Sequence, residues 1–256
     1  MLKKGGNKVG QEVIVGKNPV IEALKAGRSV NKVLISNQLR PQQAAEFERL
    51  TKKANATVQR VPKEKLNQMT KGNHQGVIAY VAAYTYADID ELFAHAETKK
   101  EIPFFVILDQ LEDPHNLGSI LRTADATGVH GVIIPKRRSV GLTQTVAKTA
   151  AGAMEHIPVA RVTNIADTID ELKERNMWIV GTEAEATEDY RRLDGTMPMA
   201  VVIGNEGKGI GRLVLKKCDW TVSLPMKGQV TSLNASVAAS LLLYEVYRKR
   251  NPLEEG

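Results

Sequence analysis

The sequence predicts an α/β protein with two domains. Strand-like and helix-like segments alternate along the 256 residues, and this alternation favours sheets covered by helices. The run FFVILDQL at 104–111 is continuously apolar, which is typical of a parallel strand buried on both faces. Segment 84–103 mixes charge with a short helical pattern and ends in Pro103. We therefore predict a first domain at 1–85, a linker at 86–103 and a second domain, with a parallel sheet, at 104–256.

The first domain is predicted to be a compact α/β unit. Its first strand precedes a helix that Asn18 is expected to cap, with Pro19 in the first turn and Gly27 at the end. Pro41 is expected to open the second helix. Strands are predicted at 12–15, 30–36, 57–61 and 76–83, and helices at 18–26, 41–55 and 62–70.

The second domain continues the same alternation to the end of the chain. Apolar, β-branched runs predict strands, and periodic apolar residues predict the helices between them. Strands are predicted at 104–111, 131–135, 157–162, 177–184, 199–203 and 220–226, and helices at 116–128, 144–154, 165–176 and 232–250.

The formal net charge of +6 is distributed unevenly between the two domains. Residues 1–85 hold 15 Lys and Arg against 5 Glu and no Asp, a net charge of +10, whereas the remainder carries −4. A basic module of this size favours nucleic acid as a partner over ordinary solvation. A lone loop histidine is more often solvated than functional, but His74 joins the candidate RNA contacts, which are Lys17, Lys63, Lys65, Lys71 and His74.

Composition excludes several other classes of protein. Cys218 is the single cysteine, which rules out an internal disulfide and a cysteine-cluster metal site and suits a reducing cytoplasm. No apolar stretch approaches the roughly 18 residues of a membrane span, so we expect no membrane partner. We also expect no metal, because no His/Cys cluster is present to hold one.

Residues 112–128, EDPHNLGSILRTADATG, form the first of three unusual stretches. Their apolar residues recur at helical spacing, with Asn116 predicted as the N-cap and Gly128 as the end. Arg122 lies off the apolar stripe in the early turns, where the helix dipole favours anions rather than cations. The helix dipole therefore does not account for Arg122, and we expect this residue to serve an interaction outside the helix.

The second stretch, VVIGNEGKGIGR at 201–212, places four glycines after a buried strand. It matches neither the Gly-x-x-x-x-Gly-Lys-Ser/Thr phosphate loop nor the Gly-x-Gly-x-x-Gly dinucleotide loop. A structural turn would tolerate these glycines but would not require Glu206 among them. A functional loop is therefore favoured.

The third stretch, LPMKGQVTSLNAS at 224–236, leads into the last helix. Ser232 is predicted as its N-cap, and Asn234 and Ser236 keep the first turn polar. Simple capping would account for Ser232 alone. Because all three stretches follow strands, their polar side chains are expected to gather at the carboxyl edge of the sheet, where open α/β sheets bind ligands.

Jointly and in this order, the three stretches resemble the signature motifs of the SpoU (TrmH-like) class of RNA ribose 2′-O-methyltransferases, in the SPOUT superfamily. The resemblance covers roughly 104–250, while 11–85 resembles the small ribosomal-protein-like RNA-binding domain often attached to this class, through GKNPVIEAL and HQGV. The matching motif residues are Asn116, Gly118 and Arg122, then Glu206, then Ser232, Leu233 and Asn234.

The resemblance implies a trefoil knot in the second domain, a homodimer, and methyl transfer from S-adenosyl-L-methionine to a ribose 2′-hydroxyl of RNA. Arg122 would hold the phosphate beside the ribose and lower the pKa of the hydroxyl, since a guanidinium is a poor base. Glu206 would orient Arg122 or a loop amide. The implied catalytic residues are Arg122, Asn116, Glu206, Ser232 and Asn234; the implied cofactor-binding residues are Thr182, Gly204, Leu224, Met226 and Leu233; Arg137 and Arg138 are further candidate RNA contacts.

The closest resemblance is to the group that modifies a guanosine of 23S (large-subunit) ribosomal RNA, with tRNA as the alternative substrate. A non-catalytic, ribosome-associated RNA-binding protein also fits the basic module, but such a relative should have lost Arg122 or Glu206. A nucleotide-dependent oxidoreductase fits the α/β alternation and the glycines, but the dinucleotide fingerprint is missing.

Overall fold

The computed structural model describes residues 13–82, 84–230 and 232–253, which form two compact units. Residues up to 85 group with 141–147 in the first unit, and residues 86–140 group with those from 148 onward in the second. The basic segment at 1–12, and Ala83 at the end of a predicted strand, lie outside the described residues.

The first unit is built on a four-stranded mixed sheet. Each element that the sequence predicts here is present: β1 (Val13–Val15), α1 (Lys17–Lys25), β2 (Val30–Ser36), α2 (Pro41–Lys53), β3 (Thr57–Val61), α3 (Lys63–Met69) and β4 (Val77–Val81). The strand order is β1-β4-β2-β3, with β4 antiparallel to both of its neighbours and β2 parallel to β3.

Two apolar clusters hold this sheet between its helices. Val20 of α1 and Phe47 of α2 belong to one cluster, and Leu66 of α3 belongs to the other. Pro41 opens α2 as predicted, but α1 begins directly after Gly16, so Asn18 is not its cap. Gly16 has a φ of 103°. A glycine is required there because that backbone conformation strains any residue with a Cβ.

The second unit is built on a seven-stranded sheet in which every strand pair is parallel, which confirms the predicted architecture. Among the described residues, none of the helices combines the length and apolar character needed to cross a bilayer. The elements from here to the end of the chain are α4 (Ile89–Lys99), β5 (Phe104–Leu108), α5 (Pro114–Ala126), β6 (Gly131–Pro135), α6 (Gln144–Ala150), β7 (Val159–Val162), α7 (Ile165–Glu174), β8 (Trp178–Thr182), β9 (Glu188–Asp189), β10 (Met199–Ile203), α8 (Arg212–Leu215), β11 (Trp220–Ser223) and α9 (Ala235–Arg250). All belong to the second unit except the first four residues of α6, which group with the first.

Strands β5 and β10 lie at the centre of this sheet, whose order is β7-β6-β5-β10-β8-β11-β9. Every residue of both strands is buried. Their parallel register ends with Leu108 beside Ile203. The chain segments that follow β5 and β10 therefore leave the sheet side by side at its carboxyl edge.

Residues 86–103, expected to be a linker, carry the packed helix α4 instead. Asp88 and Glu91 form a reciprocal capping box at its start. Leu92 is fully buried, and the Phe93 ring meets Phe105 of β5 edge-on at 4.9 Å between centroids. The charge that suggested a linker belongs to the solvated face of an amphipathic helix.

Two further predicted helix caps are wrong, and both corrections concern the candidate site. The N-cap of α5 is Asp113, whose carboxylate accepts from the His115 N–H at 2.9 Å, so Asn116 lies inside the first turn. Pro114 fixes this earlier start because the first helical position needs no N–H. The N-cap of α9 is Asn234 rather than Ser232.

The single cysteine is shielded from reaction. A Cβ added to Gly181 of β8 would lie 2.9 Å from the Cys218 sulfur, so the thiol occupies the space that the glycine leaves. Burial raises the pKa of Cys218 to about 12. The side chain is therefore a neutral thiol at physiological pH, and the thiolate is the reactive form.

We expect Gly131→Ala to destabilise the second unit. A methyl group at Gly131 in β6 would overlap the buried Leu92 side chain of α4. Overpacking of this kind costs about 1–3 kcal/mol. Urea unfolding measures the change, with Gly228→Ala as control because nothing lies within 4 Å of its added methyl group. Equal stability of the two variants would contradict the packing of α4 on the sheet.

Candidate active site

Three polar turns meet at the carboxyl edge of the parallel sheet. Asn116 lies in the first turn of α5, Glu206 follows β10, and Asn234 precedes α9. The Asn116 side-chain amide donates to Glu206 Oε1. The Asn234 amide donates to Asn116 Oδ1 at 3.0 Å and to Glu206 Oε1 at 3.2 Å. These three predicted site residues form one hydrogen-bonded cluster, which we call the Asn–Glu–Asn network.

The network holds a carboxylate in one orientation. A carboxylate offers only acceptors, whereas each asparagine amide offers two donors, so two amides suit a single Glu206. Asn116 is 6% exposed, and its amide is satisfied by this contact. The Asn234 Oδ1 atom accepts from the Ser236 N–H at 3.0 Å, so Asn234 caps α9 and holds Glu206 at once. The position of Glu206 is thereby tied to the first turns of both helices.

The glycine-rich loop of the second motif is a tight hairpin that presents Glu206. Asn205 and Gly209 exchange two backbone hydrogen bonds, of 3.0 and 2.7 Å. Gly209 has a φ of 65°, and a Cβ on Gly204 would overlap the backbone of Gly209. A side chain is therefore excluded at Gly204 and disfavoured by the backbone conformation at Gly209. The glycines therefore allow the tight turn that carries Glu206.

The base of this hairpin is anchored to the end of β5. The buried Asp109 carboxylate accepts from the Gly211 N–H at 2.7 Å, and the Asn205 side-chain amide donates to the Gln110 carbonyl at 3.1 Å. Sequence analysis missed Asp109 and Asn205. The signal that could have found them is a polar residue placed directly after a buried strand.

Arg122 lies on the exposed side of α5 and outside the network. Of the two partners expected for Glu206, Arg122 or a loop amide, its described contacts are with amides, those of Asn116 and Asn234. Among the described residues, none forms a hydrogen bond or ion pair with the Arg122 guanidinium. The next residue, Thr123, contacts Ser240 of α9 at 3.1 Å between hydroxyl oxygens. Arg122 is therefore a solvent-facing cation beside the α5–α9 contact.

A cavity of about 490 Å³, which we call the second-unit cavity, lies beside the network. Such a volume is ordinary for a small-molecule site. All five residues that the resemblance implies for the cofactor line it, and Glu206 and Ser232 do so as well. The Thr182 hydroxyl donates to the Val202 carbonyl at 3.1 Å, so its oxygen is held in place at the wall.

The charge lining the second-unit cavity is predominantly negative. Glu183, Glu185 and Glu206 line it against a single cation, Lys208. Glu183 and Glu185 were not predicted, although the acidic run EAEATED directly after β8 is a signal that could have found them. Among the described residues, no group of three or more His, Cys, Asp or Glu is arranged to hold a metal ion. The acidic lining favours a cationic ligand electrostatically.

The predicted RNA contacts of the first unit fall mostly around a separate cavity of about 720 Å³, which we call the first-unit cavity. Lys17, Lys63 and Lys71 line it, whereas Lys65 does not. His74 also lines it, but it is 6% exposed rather than solvated. In the second unit, Arg137 and Arg138 are exposed in the loop after β6.

Comparison with known proteins places this geometry in a family. The SpoU rRNA methylase family model matches residues 103–244, and the RNA 2′-O ribose methyltransferase substrate-binding model matches 13–87. YacO of Bacillus subtilis strain 168, named as a TrmH family tRNA/rRNA methyltransferase, is 62% identical over 244 residues, covering 95% of this chain and 98% of its own.

Solved structures agree with these matches. The SpoU methyltransferase AviRb of Streptomyces viridochromogenes, in complex with S-adenosylmethionine, is 28% identical with a TM-score of 0.60, covering 96% of this chain and 94% of its own. The S-adenosylmethionine-bound rRNA methyltransferase of Sinorhizobium meliloti is 25% identical with a TM-score of 0.56, covering 93% and 87%. The chain belongs to the SpoU (TrmH) family of S-adenosylmethionine-dependent RNA 2′-O-methyltransferases.

We expect Asn116→Asp to destabilise the second unit in a pH-dependent way. The change replaces a donor to Glu206 with a second carboxylate, and two adjacent carboxylates cannot both ionise without cost. The introduced group then has a higher pKa in the folded than in the unfolded chain, so the loss is absent below the usual carboxylate range. It grows as the pH rises, to about 1–3 kcal/mol at pH 8.

Urea unfolding at about pH 3.5, below the usual carboxylate range, and at pH 8 measures this loss. Asn164→Asp is the matched control, because Asn164 is the exposed N-cap of α7 and aspartate caps equally well. A loss that does not vary with pH, or that the control shares, would contradict the network.

Proposed function

We propose that the chain methylates the ribose 2′-hydroxyl of a guanosine in large-subunit (23S) ribosomal RNA. The observation that carries this proposal is the Asn–Glu–Asn network, which joins the three motif turns at the mouth of an acid-lined cavity. The family supplies the reaction type. The particular RNA, the nucleotide and the residue roles are our inference.

The second-unit cavity fits the cofactor in shape and charge. S-adenosylmethionine carries a methyl group on a positively charged sulfonium, which makes that methyl group an electrophile. The residues that would hold it are Thr182, Gly204, Leu224, Met226 and Leu233, all in the cavity wall. Glu183 and Glu185 add negative charge beside them, which favours a cationic ligand electrostatically.

Arg122 is the proposed anchor for the phosphate next to the target ribose. It is exposed, and its charge is not compensated by another described residue. A guanidinium binds phosphate oxygens through paired N–H donors and keeps its proton at neutral pH. It would therefore position the ribose and lower the pKa of the hydroxyl rather than act as the base.

The Asn–Glu–Asn network is proposed to position the ribose against the cofactor. With both asparagine amides engaged by Glu206, the hairpin is fixed to the starts of α5 and α9. Ser232, exposed in the cavity wall, then remains as a hydroxyl for the ribose or its phosphate. Correct alignment of a weak nucleophile with its electrophile supplies a large part of catalysis.

Ribosomal RNA is favoured over tRNA by the first unit. The rRNA methyltransferase of S. meliloti aligns with 93% of this chain, whereas a TrmH/SpoU tRNA modifying enzyme of A. aeolicus, 28% identical with a TM-score of 0.54, aligns with 63%. A separate basic module with a net charge of +10 suits a large, structured RNA.

Mass spectrometry of RNA from a deletion strain tests the substrate. We expect one 2′-O-methylguanosine to disappear from large-subunit ribosomal RNA and to return when the gene is restored. The control is the same strain carrying the Arg122→Ala variant, which should not restore the modification. Unchanged ribosomal RNA together with a missing tRNA modification would assign the tRNA alternative.

We expect Arg122→Ala to abolish turnover while leaving cofactor affinity nearly intact. Loss of a charged group that acts on the reacting centre costs about a hundredfold or more in kcat. Methyl transfer to ribosomal RNA and calorimetric titration with S-adenosylmethionine measure the two effects separately. Arg192→Ala, which removes an exposed arginine elsewhere in the second unit, is the control. Equal loss of turnover and cofactor affinity would make Arg122 structural.

A homodimer is proposed to form through α9. Its outer face exposes large apolar side chains, among them Val237 at 47% and Tyr244 at 52%, which border a groove with Leu253. Exposed apolar patches of this kind mark interaction surfaces.

We also propose that the protein is cytoplasmic, because a chain with one free cysteine suits a reducing compartment.

We expect the wild type to sediment as a particle of twice the chain mass. The Tyr244→Glu variant should sediment with the mass of a single chain. A charge at the centre of a buried apolar interface lacks a partner and opposes association. Leu213→Glu is the control, because Leu213 is 60% exposed on α8, away from the α9 groove. A monomeric wild type would refute this interface.

A further inference from the structure

The first-unit cavity is strongly basic and lined without acids. Four cations, Lys17, Arg40, Lys63 and Lys71, line it, and no aspartate or glutamate does. The side chains of Arg40, Lys63 and Lys71 form no hydrogen bond or ion pair with any residue that the structure describes. Elsewhere on the same unit a cation is paired, as Arg60 is with Glu48 at 2.9 Å. An uncompensated cluster of this kind favours an anionic ligand.

A buried histidine in the lining of the cavity is held by two hydrogen bonds. The His74 Nδ1 atom accepts from the Gly76 N–H at 2.8 Å, so Nε2 carries the proton and donates to Asn67 Oδ1 at 2.7 Å. His74 thus engages both of its ring nitrogens in hydrogen bonds within the unit. Its role is to fix Asn67, whose amide N–H groups face no other described acceptor. The buried histidine is therefore a positioning residue rather than an RNA contact.

Side-chain amides distinguish this cavity from a simple phosphate site. Gln38, Gln43, Asn67, Asn73 and Gln75 line it. A phosphate requires only donors, whereas amides offer donors and acceptors together. The edges of nucleic-acid bases require both, and they are accessible in full only when the base is unpaired. The lining thus combines groups for a phosphate with groups for a base edge.

We infer that the first-unit cavity receives a single unpaired nucleotide of the RNA substrate. Its phosphate would lie against Arg40, Lys63 and Lys71, and its base edge against the amides. The volume of about 720 Å³ is large enough to receive one such group. This inference rests on the proposed function only in taking RNA as the substrate, and it assigns to the first unit the recognition of a single-stranded loop.

Binding of labelled RNA to the full chain tests the inference. The probes are a single-stranded RNA of about ten nucleotides and a fully paired hairpin of similar length, each measured by fluorescence anisotropy over a range of salt concentrations. We expect the single strand to bind more tightly. Lys63→Ala and Lys71→Ala should each lower the salt slope of its log affinity by about 0.7.

Two further variants separate phosphate binding from base recognition. Gln38→Ala should weaken single-strand binding without changing the salt slope, because an amide carries no charge. Lys52→Ala is the matched control, since Lys52 is an exposed lysine at the end of α2 that does not line the cavity. Its affinity and slope should equal those of the wild type.

Three results would overturn the inference. The first is equal affinity for the hairpin and the single strand. The second is an equal effect of the Lys52 and Lys63 substitutions on affinity and salt slope. The third is full competition by millimolar inorganic phosphate, which would show that the cavity is an anion site only. Methyl transfer is measured in parallel. A wild type that binds the single strand but methylates no ribosomal RNA refutes the proposed function alone, whereas cavity variants that bind like the wild type refute this inference alone.

Discussion

The contact between Glu206 and two asparagine amides is the interaction on which the candidate site depends. It joins chain segments that lie 90 and 118 residues apart in sequence, through Asn116 to Glu206 and Asn116 to Asn234. The hairpin that carries Glu206 is rich in glycine, which loses more conformational entropy on ordering than other residues. The hydrogen bonds that Glu206 accepts near the tip of the hairpin offset that loss. They also fix the positions of the three loops relative to one another.

The cavities of the two units are lined by opposite charges. Residues 1–85 carry a net charge of +10, and the cavity of the first unit is lined by cations without acids, whereas carboxylates line the cavity of the second unit. On the proposed assignment, a polyanionic RNA and a cationic cofactor bind at different surfaces, so neither competes for the other's site. Because attraction to exposed charge is screened by salt, the RNA side of this division is the more sensitive to ionic strength.

Much of the architecture could be predicted from local pattern. The apolar runs at 104–108 and 199–203 give the central strands, since only a doubly buried strand tolerates them. The caps of α5 and α9 could not be predicted, because neighbouring residues compete for that position: Asp113 with Pro114 displaces Asn116, and Asn234 displaces Ser232. The displaced Asn116 is the one that reaches Glu206, a contact that depends on the register of β5 and β10 rather than on either segment alone.

The half-buried Cys218 has a practical consequence for spectroscopy. With a pKa of about 12 and a position behind Gly181, the native thiol is a poor target for maleimide reagents. A cysteine engineered on the surface would therefore be the sole reactive sulfur in the chain. Fluorophores or spin labels could then be attached at one chosen point on either unit, without first deleting the natural residue and disturbing the strand against which it packs.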